Sequence, residues 1–313
     1  MTQAAVPVFK KKKLLKRIWE QKVFLLMLLP GVVYYLYFKY YTIIYGMALS
    51  VVKFNMRKGL AGSKILDPWY KNFQFFFESP AFAQLFGNTL FISLAKMLIG
   101  MPLAVMLAVL LFECTNKLFR RVIQTLTYMP HFLSWVVIYG MCFALLSETN
   151  GLLNSWNRQL FGKAIPFFSD KDVFRWLIIF SDVWQSTGWS AILYMAAISG
   201  IDPCLYESAA MDGCSRVKSI FYITIPSIMP VILLTLILRC GSILEAGFEQ
   251  IFVMYNTAVR SSVDIFDTWV YRTGLENMNV SLASAVGLFK SVVSMALVIS
   301  VNAIARRWEG SMW

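Results

Sequence analysis

The sequence is poor in the residues from which most enzyme active sites are built. It has one histidine and five cysteines in 313 residues, and only 15% of its residues are charged. The single histidine, His131, follows Pro130 in an apolar stretch, which favours a packed or interfacial side chain over a catalytic one. No phosphate-binding Gly-x-x-x-x-Gly-Lys-Ser/Thr loop, serine nucleophile elbow, His-Glu-x-x-His or Cys-x-x-Cys string occurs. We therefore expect no enzymatic activity, no catalytic residue, no metal site and no cofactor in this chain.

Long apolar runs are abundant instead. Hydrophobic residues make up 58% of the chain. A run of about 20 apolar residues is long enough to cross the hydrocarbon core of a bilayer as a helix. The sequence therefore predicts an all-α integral membrane protein with six transmembrane helices. Their predicted ranges are 23–45, 88–112, 122–146, 176–200, 226–246 and 282–305. Residues 23–305 then form one transmembrane domain, between a basic segment at 1–22 and a tail at 306–313.

The placement of Lys and Arg predicts the orientation. Cytoplasmic segments of membrane proteins carry an excess of basic residues. With the amino terminus placed inside, the cytoplasmic segments have a higher density of Lys and Arg than the outer segments, so both termini are predicted to be cytoplasmic. The first apolar run is predicted to be an uncleaved anchor. The net charge of +12 fits this arrangement, because the densest basic cluster stands just before a span, where anionic lipid attracts it. Nucleic acid is not an expected partner.

A polar interruption, residues 201–226, separates the fourth and fifth apolar runs. Asp202 and Pro203 suit the cap and first turn of a helix, and Gly213 suits the corner that ends it. The sequence predicts a short amphipathic helix here, on the cytoplasmic side, although an ordinary cytoplasmic loop is the alternative. The residues expected to face a partner are Tyr206, Glu207, Ser208, Ala209, Ala210, Met211, Asp212 and Gly213.

This interruption resembles the EAA loop of bacterial ABC-importer permeases. The family pattern is Glu-Ala-Ala, three residues, Gly, nine residues, Ile, any residue, Leu, Pro. Glu207, Ser208 and Ala209 match its start and Gly213 its glycine, while Ile223 and Pro226 match its end; Ser208 and Ile225 depart but keep size and character. The resemblance extends over nearly the whole chain, to the maltose and glycerol-phosphate type and its oligosaccharide and polysaccharide branch. The similar stretches are 28–40, 71–77, 88–94, 124–137, 199–213, 245–256 and 307–310.

The resemblance implies a role and a set of partners. The chain would be one permease of a carbohydrate importer in a bacterial inner membrane, with a coupling helix between helices 4 and 5 that needs Glu207 and Gly213. Its partners would be a second homologous permease, an ATPase homodimer that carries ATP and Mg, a periplasmic or extracellular solute-binding protein, and the lipid bilayer. The alternative is a secondary transporter or channel for a small solute, which would have a mid-membrane acid or proton relay and no docking loop.

Four charged residues fall inside the predicted spans at comparable depth. Charges there are costly and commonly line a hydrated path. We expect an outward cavity with three cations and one acid, which would suit an acidic uronate chain such as alginate. The alternative is a set of interhelical ties, in which Lys96 or Lys290 pairs with Asp182 or Glu245. Trp184, together with Trp189, Tyr194 and Phe289, offers flat faces for sugar rings or belongs to an interfacial belt. The predicted pathway residues are Lys96, Asp182, Arg239, Lys290 and Trp184.

Overall fold

The structure of the protein is a computed structural model that describes residues 21–306, most of which are helical. The predicted basic segment and tail lie outside the described residues, except for residues 21, 22 and 306. The elements are α1 (Lys22–Ser50), β1 (Val52–Asn55), β2 (Gly59–Ile65), α2 (Lys71–Glu78), α3 (Pro80–Glu113), α4 (Lys117–Tyr128), α5 (Trp135–Leu146), α6 (Leu152–Phe161), α7 (Lys171–Ser199), α8 (Pro203–Met211), α9 (Arg216–Gly241), α10 (Phe248–Met254), α11 (Arg260–Val263), α12 (Phe266–Tyr271) and α13 (Val280–Ala305).

Within residues 21–306, four helices are long and apolar enough to cross a membrane, namely α1, α3, α9 and α13. The α4–α5 pair is a fifth candidate if the two helices are taken as one broken span. Helix α7 has 29 residues, which is enough to span, but polar residues around Asp182 reduce its hydropathy. The structure therefore agrees with a helical membrane protein of four to five apolar span candidates, fewer than the six predicted.

The third predicted span, 122–146, is not one straight helix. Helix α4 ends at Tyr128, a 3-10 turn covers Met129–Phe132, and α5 begins after Ser134, whose hydroxyl accepts from the backbone of Val137 at 3.5 Å. The two helices are bent by 107°. Leu133 and Ser134 have extended backbone, with ψ of 134° and 153°, and they end the helical path. Pro130 weakens the turn before them, because it has no backbone N–H to donate within a helix.

The predicted spans also differ from the helices at their ends. Ser79 caps α3, accepting from Ala81 N at 3.3 Å, so this helix begins before the predicted residue 88. Ser215 caps α9, so this helix begins before Pro226, which lies close after a π-helical turn at Ile220–Thr224. The first turns of both helices lie outside the predicted apolar runs. A cap, rather than hydropathy, sets where each helix starts.

A small β-hairpin is the exception to the predicted all-α fold. Strands β1 and β2 pair antiparallel, with Val52 opposite Ile65. Gly59 has a φ of 63°, which a glycine adopts without steric cost at the turn. The backbone N–H of Phe54 donates to Ser281 Oγ at 3.0 Å and so joins the hairpin to the start of α13.

Helices α3 and α7 form the centre of the molecule, and α4 reaches α7 very closely. Gly188 of α7 faces the carbonyl of Thr127, and a Cβ at this glycine would lie 2.0 Å from that oxygen. By contrast, residues 22–44 of α1 are exposed within the described part of the chain. Burial begins at the half-buried Tyr45 and is complete at Leu49 and Ser50, where α1 packs on α13. The apolar surface of α1 is therefore left for lipid or another subunit.

Candidate functional site

The predicted amphipathic helix is present as α8. Asp202 caps it by accepting from Cys204 N at 2.9 Å, with Pro203 in the first turn. Gly213 follows its end with a φ of 73° and donates its N–H to Ala210 O at 3.1 Å. The local predictions for Asp202, Pro203 and Gly213 are confirmed, because each has the backbone geometry that its residue type favours.

The surface of α8 is mostly exposed. Tyr206 is half-buried, and its hydroxyl lies 2.9 Å from Thr224 Oγ1, which ties α8 to α9. Met211 is 90% exposed although it is apolar. Ala209 is half-buried, and the exposed members of the predicted set are Glu207, Ser208, Ala210, Met211, Asp212 and Gly213. This short helix therefore presents a carboxylate, small residues and the large apolar side chains of Leu205 and Met211 on a surface that nothing in the described chain covers.

Lys96 is the centre of a buried polar network. It is 7% exposed, and its Nζ donates to Asp182 Oδ1 at 3.0 Å, to Ala246 O at 2.9 Å and to Gln250 Oε1. These contacts join α3, α7 and the segment that leads into α10. One ammonium thus uses all three of its donors, each on a different acceptor.

Gln250 completes this network and was missed in the sequence. Its side chain is fully buried, and its Nε2 donates to Ile178 O at 2.7 Å and to Ser181 Oγ at 2.9 Å. A single amide has no spacing pattern that would single it out. Its neighbour Glu249 is also polar, so polarity alone did not distinguish Gln250. Only the general rule that a buried amide needs hydrogen-bond partners could have drawn attention to it.

The backbone before α10 is shaped around the Lys96 ammonium. Ala246 has a φ of 49° and Gly247 a φ of 90°. A left-handed alanine costs about 1–2 kcal/mol, and the hydrogen bond from Lys96 to its carbonyl offsets part of that cost. A Cβ at Gly247 would lie 2.9 Å from Lys96 Nζ. Glycine is therefore required here for close approach as well as for its backbone angle.

A polar cavity of about 220 Å³ lies beside this network. We call it the Lys96 cavity; its lining includes Ser93, Lys96, Asp182, Arg239 and Glu245. The structure thus brings together three of the predicted pathway residues. Their formal charges balance against Glu245, in contrast to the expected excess of cations.

Two groups in the Lys96 cavity have unused binding capacity. Arg239 Nη2 donates to Ser190 Oγ at 3.1 Å, and no carboxylate of residues 21–306 lies within 4.0 Å of its guanidinium. Ser93 is 8% exposed, and its hydroxyl has no hydrogen-bond partner in the described chain. A buried unpaired hydroxyl costs about 1–3 kcal/mol. A ligand or water in the cavity would satisfy it.

Lys290 lies outside the Lys96 cavity. Its Nζ lies 2.6 Å from Asp267 Oδ1 and 2.8 Å from Oδ2, so it ties α13 to α12. The sequence suggested Asp182 or Glu245 as its partner, and this pairing was wrong because the segment 264–272 folds back against α13. The suggested tie between Lys96 and Asp182 is present. Ties and a cavity coexist, but Lys290 is not among the residues that line the Lys96 cavity.

Arg272 forms the third described ion pair. Its guanidinium contacts both oxygens of Asp264, one at 2.9 Å, and Asp264 also accepts from Thr268. Burial alone would lower the pKa of Arg272, but the hydrogen bonds to Asp264 and the charge of that carboxylate outweigh it and raise this pKa. Arg272 and Asp264 therefore remain a charged pair.

The predicted sugar-facing aromatics do not form one surface. Trp184 is 48% exposed and does not line the Lys96 cavity. Trp189 is 46% exposed and stacks on His131 with ring centroids 4.6 Å apart, and His131 is itself exposed within the described chain. Tyr194 is buried, with its hydroxyl 2.8 Å from Thr235 Oγ1, and Phe289 belongs to a buried aromatic cluster. In residues 21–306, no group of three His, Cys, Asp or Glu side chains could hold a metal ion.

Comparison with known families decides the class. The family described as binding-protein-dependent transport system inner membrane component matches residues 100–310, more than half of the chain. The chain belongs to this family. The permease is 39% identical over 299 residues to the polygalacturonan/rhamnogalacturonan transport system permease protein YteP of Bacillus subtilis (strain 168), covering 96% of this chain and 92% of YteP. It is 38% identical over 284 residues to Protein LplB of the same organism, covering 91% and 88%.

A solved structure agrees in fold. The permease matches a bacterial ABC transporter involved in the import of the acidic polysaccharide alginate, with a TM-score of 0.86 and 33% identity over 95% of this chain and 99% of that chain. The comparisons confirm the class expected from the sequence: the permease is an inner-membrane subunit of an ABC importer and not an enzyme. Importers of this family work with a binding protein, a second permease and a separate ATPase.

Proposed function

We propose that the permease lines half of the import pathway for carboxylated oligosaccharides, the fragments of acidic polysaccharides. Its relative YteP is named for polygalacturonan and rhamnogalacturonan, and the solved neighbour imports alginate, an acidic polysaccharide. Both matches extend over more than nine tenths of this chain. A shared class of acidic carbohydrate substrate is the simplest account of these similarities, although each substrate is stated only for those proteins.

The observation that carries the proposal is the state of Arg239 in the Lys96 cavity. Lys96 is fully engaged by Asp182, Ala246 and Gln250. Arg239 has a hydroxyl partner only, among the described residues. A guanidinium binds a carboxylate through two parallel hydrogen bonds, and low dielectric strengthens that pairing. Arg239 can therefore donate hydrogen bonds to a uronate carboxylate. The hydroxyl of Ser93, which also lines the cavity and has no partner in the described chain, can bond a sugar oxygen.

The topology that we propose has six spans with both termini in the cytoplasm. α1, α3, the bent pair α4–α5, α7, α9 and α13 would cross the bilayer, within a transmembrane domain at 23–305. α8 would then face the cytoplasm and act as the coupling helix, since an exposed helix with a sharp corner suits docking. The chain would hold no cofactor, and ATP and Mg would be bound by the ATPase homodimer.

Arg239→Gln is expected to reduce import of acidic substrate selectively. Glutamine keeps a donor for Ser190 but loses the charge, so we expect roughly a tenfold rise in KM, equivalent to one charge-assisted hydrogen bond. The measurement is ATP-driven uptake of trigalacturonate by the complete reconstituted importer, compared with its fully methyl-esterified form. Arg57→Gln, an exposed change in the hairpin, is the matched control. Equal loss for both substrates would contradict a charge-reading role.

The permease alone is expected to transport nothing when ATP is added. Residues 1–313 contain no phosphate-binding loop, and one subunit supplies half of the proposed pathway. Vesicles that contain only this chain should show no trigalacturonate uptake above that of empty vesicles, with or without ATP. Uptake driven by an imposed proton gradient in the same vesicles would instead support the secondary-transporter alternative.

A further inference from the structure

A second polar cavity, of about 420 Å³, lies near the start of α3. We call it the Arg260 cavity; its lining includes Gln84, Thr257, Arg260, Trp269, Arg272 and Asn277. It shares no lining residue with the Lys96 cavity. A rise of about 1.5 Å per residue places Gln84 roughly 18 Å from Lys96 along α3. In the proposed orientation, the Arg260 cavity is on the outer side of the Lys96 cavity.

The backbone that forms this cavity is fixed by hydrogen bonds to two long helices. Gln84 Nε2 and Asn88 Nδ2 on α3 both donate to Ser261 O, at 2.7 and 3.0 Å. Asn88 also donates to Asp264 O at 3.1 Å. From α7, Arg175 Nε donates to Ser262 O at 3.0 Å. The segment around Arg260 is therefore held in place, and a preformed site of this kind loses little entropy when it binds a ligand.

The two arginines in the cavity differ in their available charge. Arg272 is paired with Asp264, whose carboxylate also accepts from Thr268. Arg260 is exposed, and its side chain makes no hydrogen bond or ion pair with any residue in 21–306. The side chain of Asn277 is likewise free within the described chain. The cavity therefore offers one uncommitted guanidinium and an uncommitted amide.

This set of groups matches one residue of an acidic sugar. The Arg260 guanidinium can bind a carboxylate through two N–H donors, and the Asn277 amide and the Thr257 hydroxyl can bond ring hydroxyls. Trp269, which is half-buried in the cavity wall, adds an apolar surface and an indole N–H. A concave site with few convergent polar groups fits a small ligand better than the flat face of a protein partner.

We propose that the Arg260 cavity is an entry subsite that binds one carboxylated sugar residue before the chain reaches the Lys96 cavity. The proposal rests on the proposed function, since it needs an acidic oligosaccharide as substrate. It assigns substrate selection to two separate positions of the permease. In the outer position the carboxylate would bind Arg260, and in the inner position it would bind Arg239.

The test is Arg260→Gln in the complete reconstituted importer, with trigalacturonate and its methyl ester as probes and Arg57→Gln as the exposed control. We expect KM for trigalacturonate to rise roughly tenfold, the equivalent of one charge-assisted hydrogen bond. KM for the ester and the maximal rate should change less than twofold. Arg260→Lys should recover part of the effect, because it restores the charge without the planar fork.

Two outcomes would overturn the subsite. One is an unchanged KM for trigalacturonate in Arg260→Gln while the unmodified importer still prefers the acid over the ester. The other is an equal rise for both probes together with weaker stimulation by the binding protein, which would place Arg260 in a protein contact. If the unmodified importer shows no preference for the acid, the proposed function fails as well, so the two failures are distinguishable.

Discussion

Lys96→Met is expected to destabilise the permease by about 3–5 kcal/mol, the usual cost of breaking a buried ion pair from one side. Methionine fits the length of the lysine stem but removes the only described ion-pair partner of Asp182. It also leaves Ala246 O without its donor from α3, which held the left-handed backbone at Ala246 and Gly247. We expect a lower half-unfolding temperature of the purified complex and nearly complete loss of uptake.

The matched control for this result is Lys290→Met. The acids of the two pairs, Asp267 and Asp182, have equal side-chain exposures of 23%, while the lysines have 17% for Lys290 and 8% for Lys96. Lys290 bonds only Asp267, whereas Lys96 also bonds Ala246 O and Gln250, so we expect Lys290→Met to cost less stability than Lys96→Met. Adding Asp182→Asn to Lys96→Met should recover part of the stability, because it removes the unpaired charge. A Lys96→Met variant as stable as Lys290→Met would contradict the central position of the Lys96 network.

Gly213→Pro is expected to uncouple the importer while leaving the permease in the membrane. The native φ at this position is 73°, whereas proline is restricted to about −65°. Proline also removes the N–H that donates to Ala210 O. The corner after α8 would then change, and the surface that presents Glu207 and Met211 would be displaced. We expect uptake and substrate-stimulated ATP hydrolysis to fall at least tenfold, which corresponds to about 1.4 kcal/mol of coupling.

Gly162→Pro is the control for this second experiment. Gly162 ends α6 with a φ of 72° and donates its N–H to Arg158 O at 2.9 Å, so the same chemical change is made at a similar corner. In the proposed orientation, α6 lies on the outer side, away from the ATPase. Stimulated hydrolysis should therefore stay within about twofold of the unmodified complex. Equal losses in both variants, or normal stimulation in Gly213→Pro, would remove the docking role from α8.

Hydropathy predicted a long helix well where an apolar run continues without interruption. Residues 282–305 were expected to be helical, and α13 covers Val280–Ala305, because apolar residues continue without a breaker. The same reasoning failed at 122–146, where the backbone becomes extended at Leu133 and Ser134 and α4, before the break, is amphipathic while α5, after it, is strongly apolar. The hairpin was missed because its strands are short, with a register irregularity between Lys53 and Asn55.

The candidate site residues were predicted correctly where local sequence decides their geometry, and incorrectly where the tertiary fold decides their partners. Asp202 acts through its side chain on the adjacent backbone, and Gly213 acts through its own backbone angle, so these residue types were sufficient to predict the start and end of α8. The partner of Lys290 depends on how the segment 264–272 folds back, which no local pattern specifies. The cavity was predicted to carry an excess of cations because the charged residues were grouped only by their depth within the predicted spans. The structure places Glu245 beside it and Lys290 elsewhere, since lateral position around the bundle is set by tertiary packing.

The contact at Gly188 has a mechanical consequence. Because no Cβ separates the helices, the Thr127 carbonyl of α4 lies directly against α7, and this close contact disfavours independent movement of either helix. Helix α8 follows α7 after a short turn, so a push on the exposed helix reaches two parts of the bundle together. α4 leads into the 107° bend at Leu133 and Ser134, so we expect a movement of α7 to change the angle between α4 and α5. A larger residue at position 188 would separate α4 from α7 and should weaken this connection.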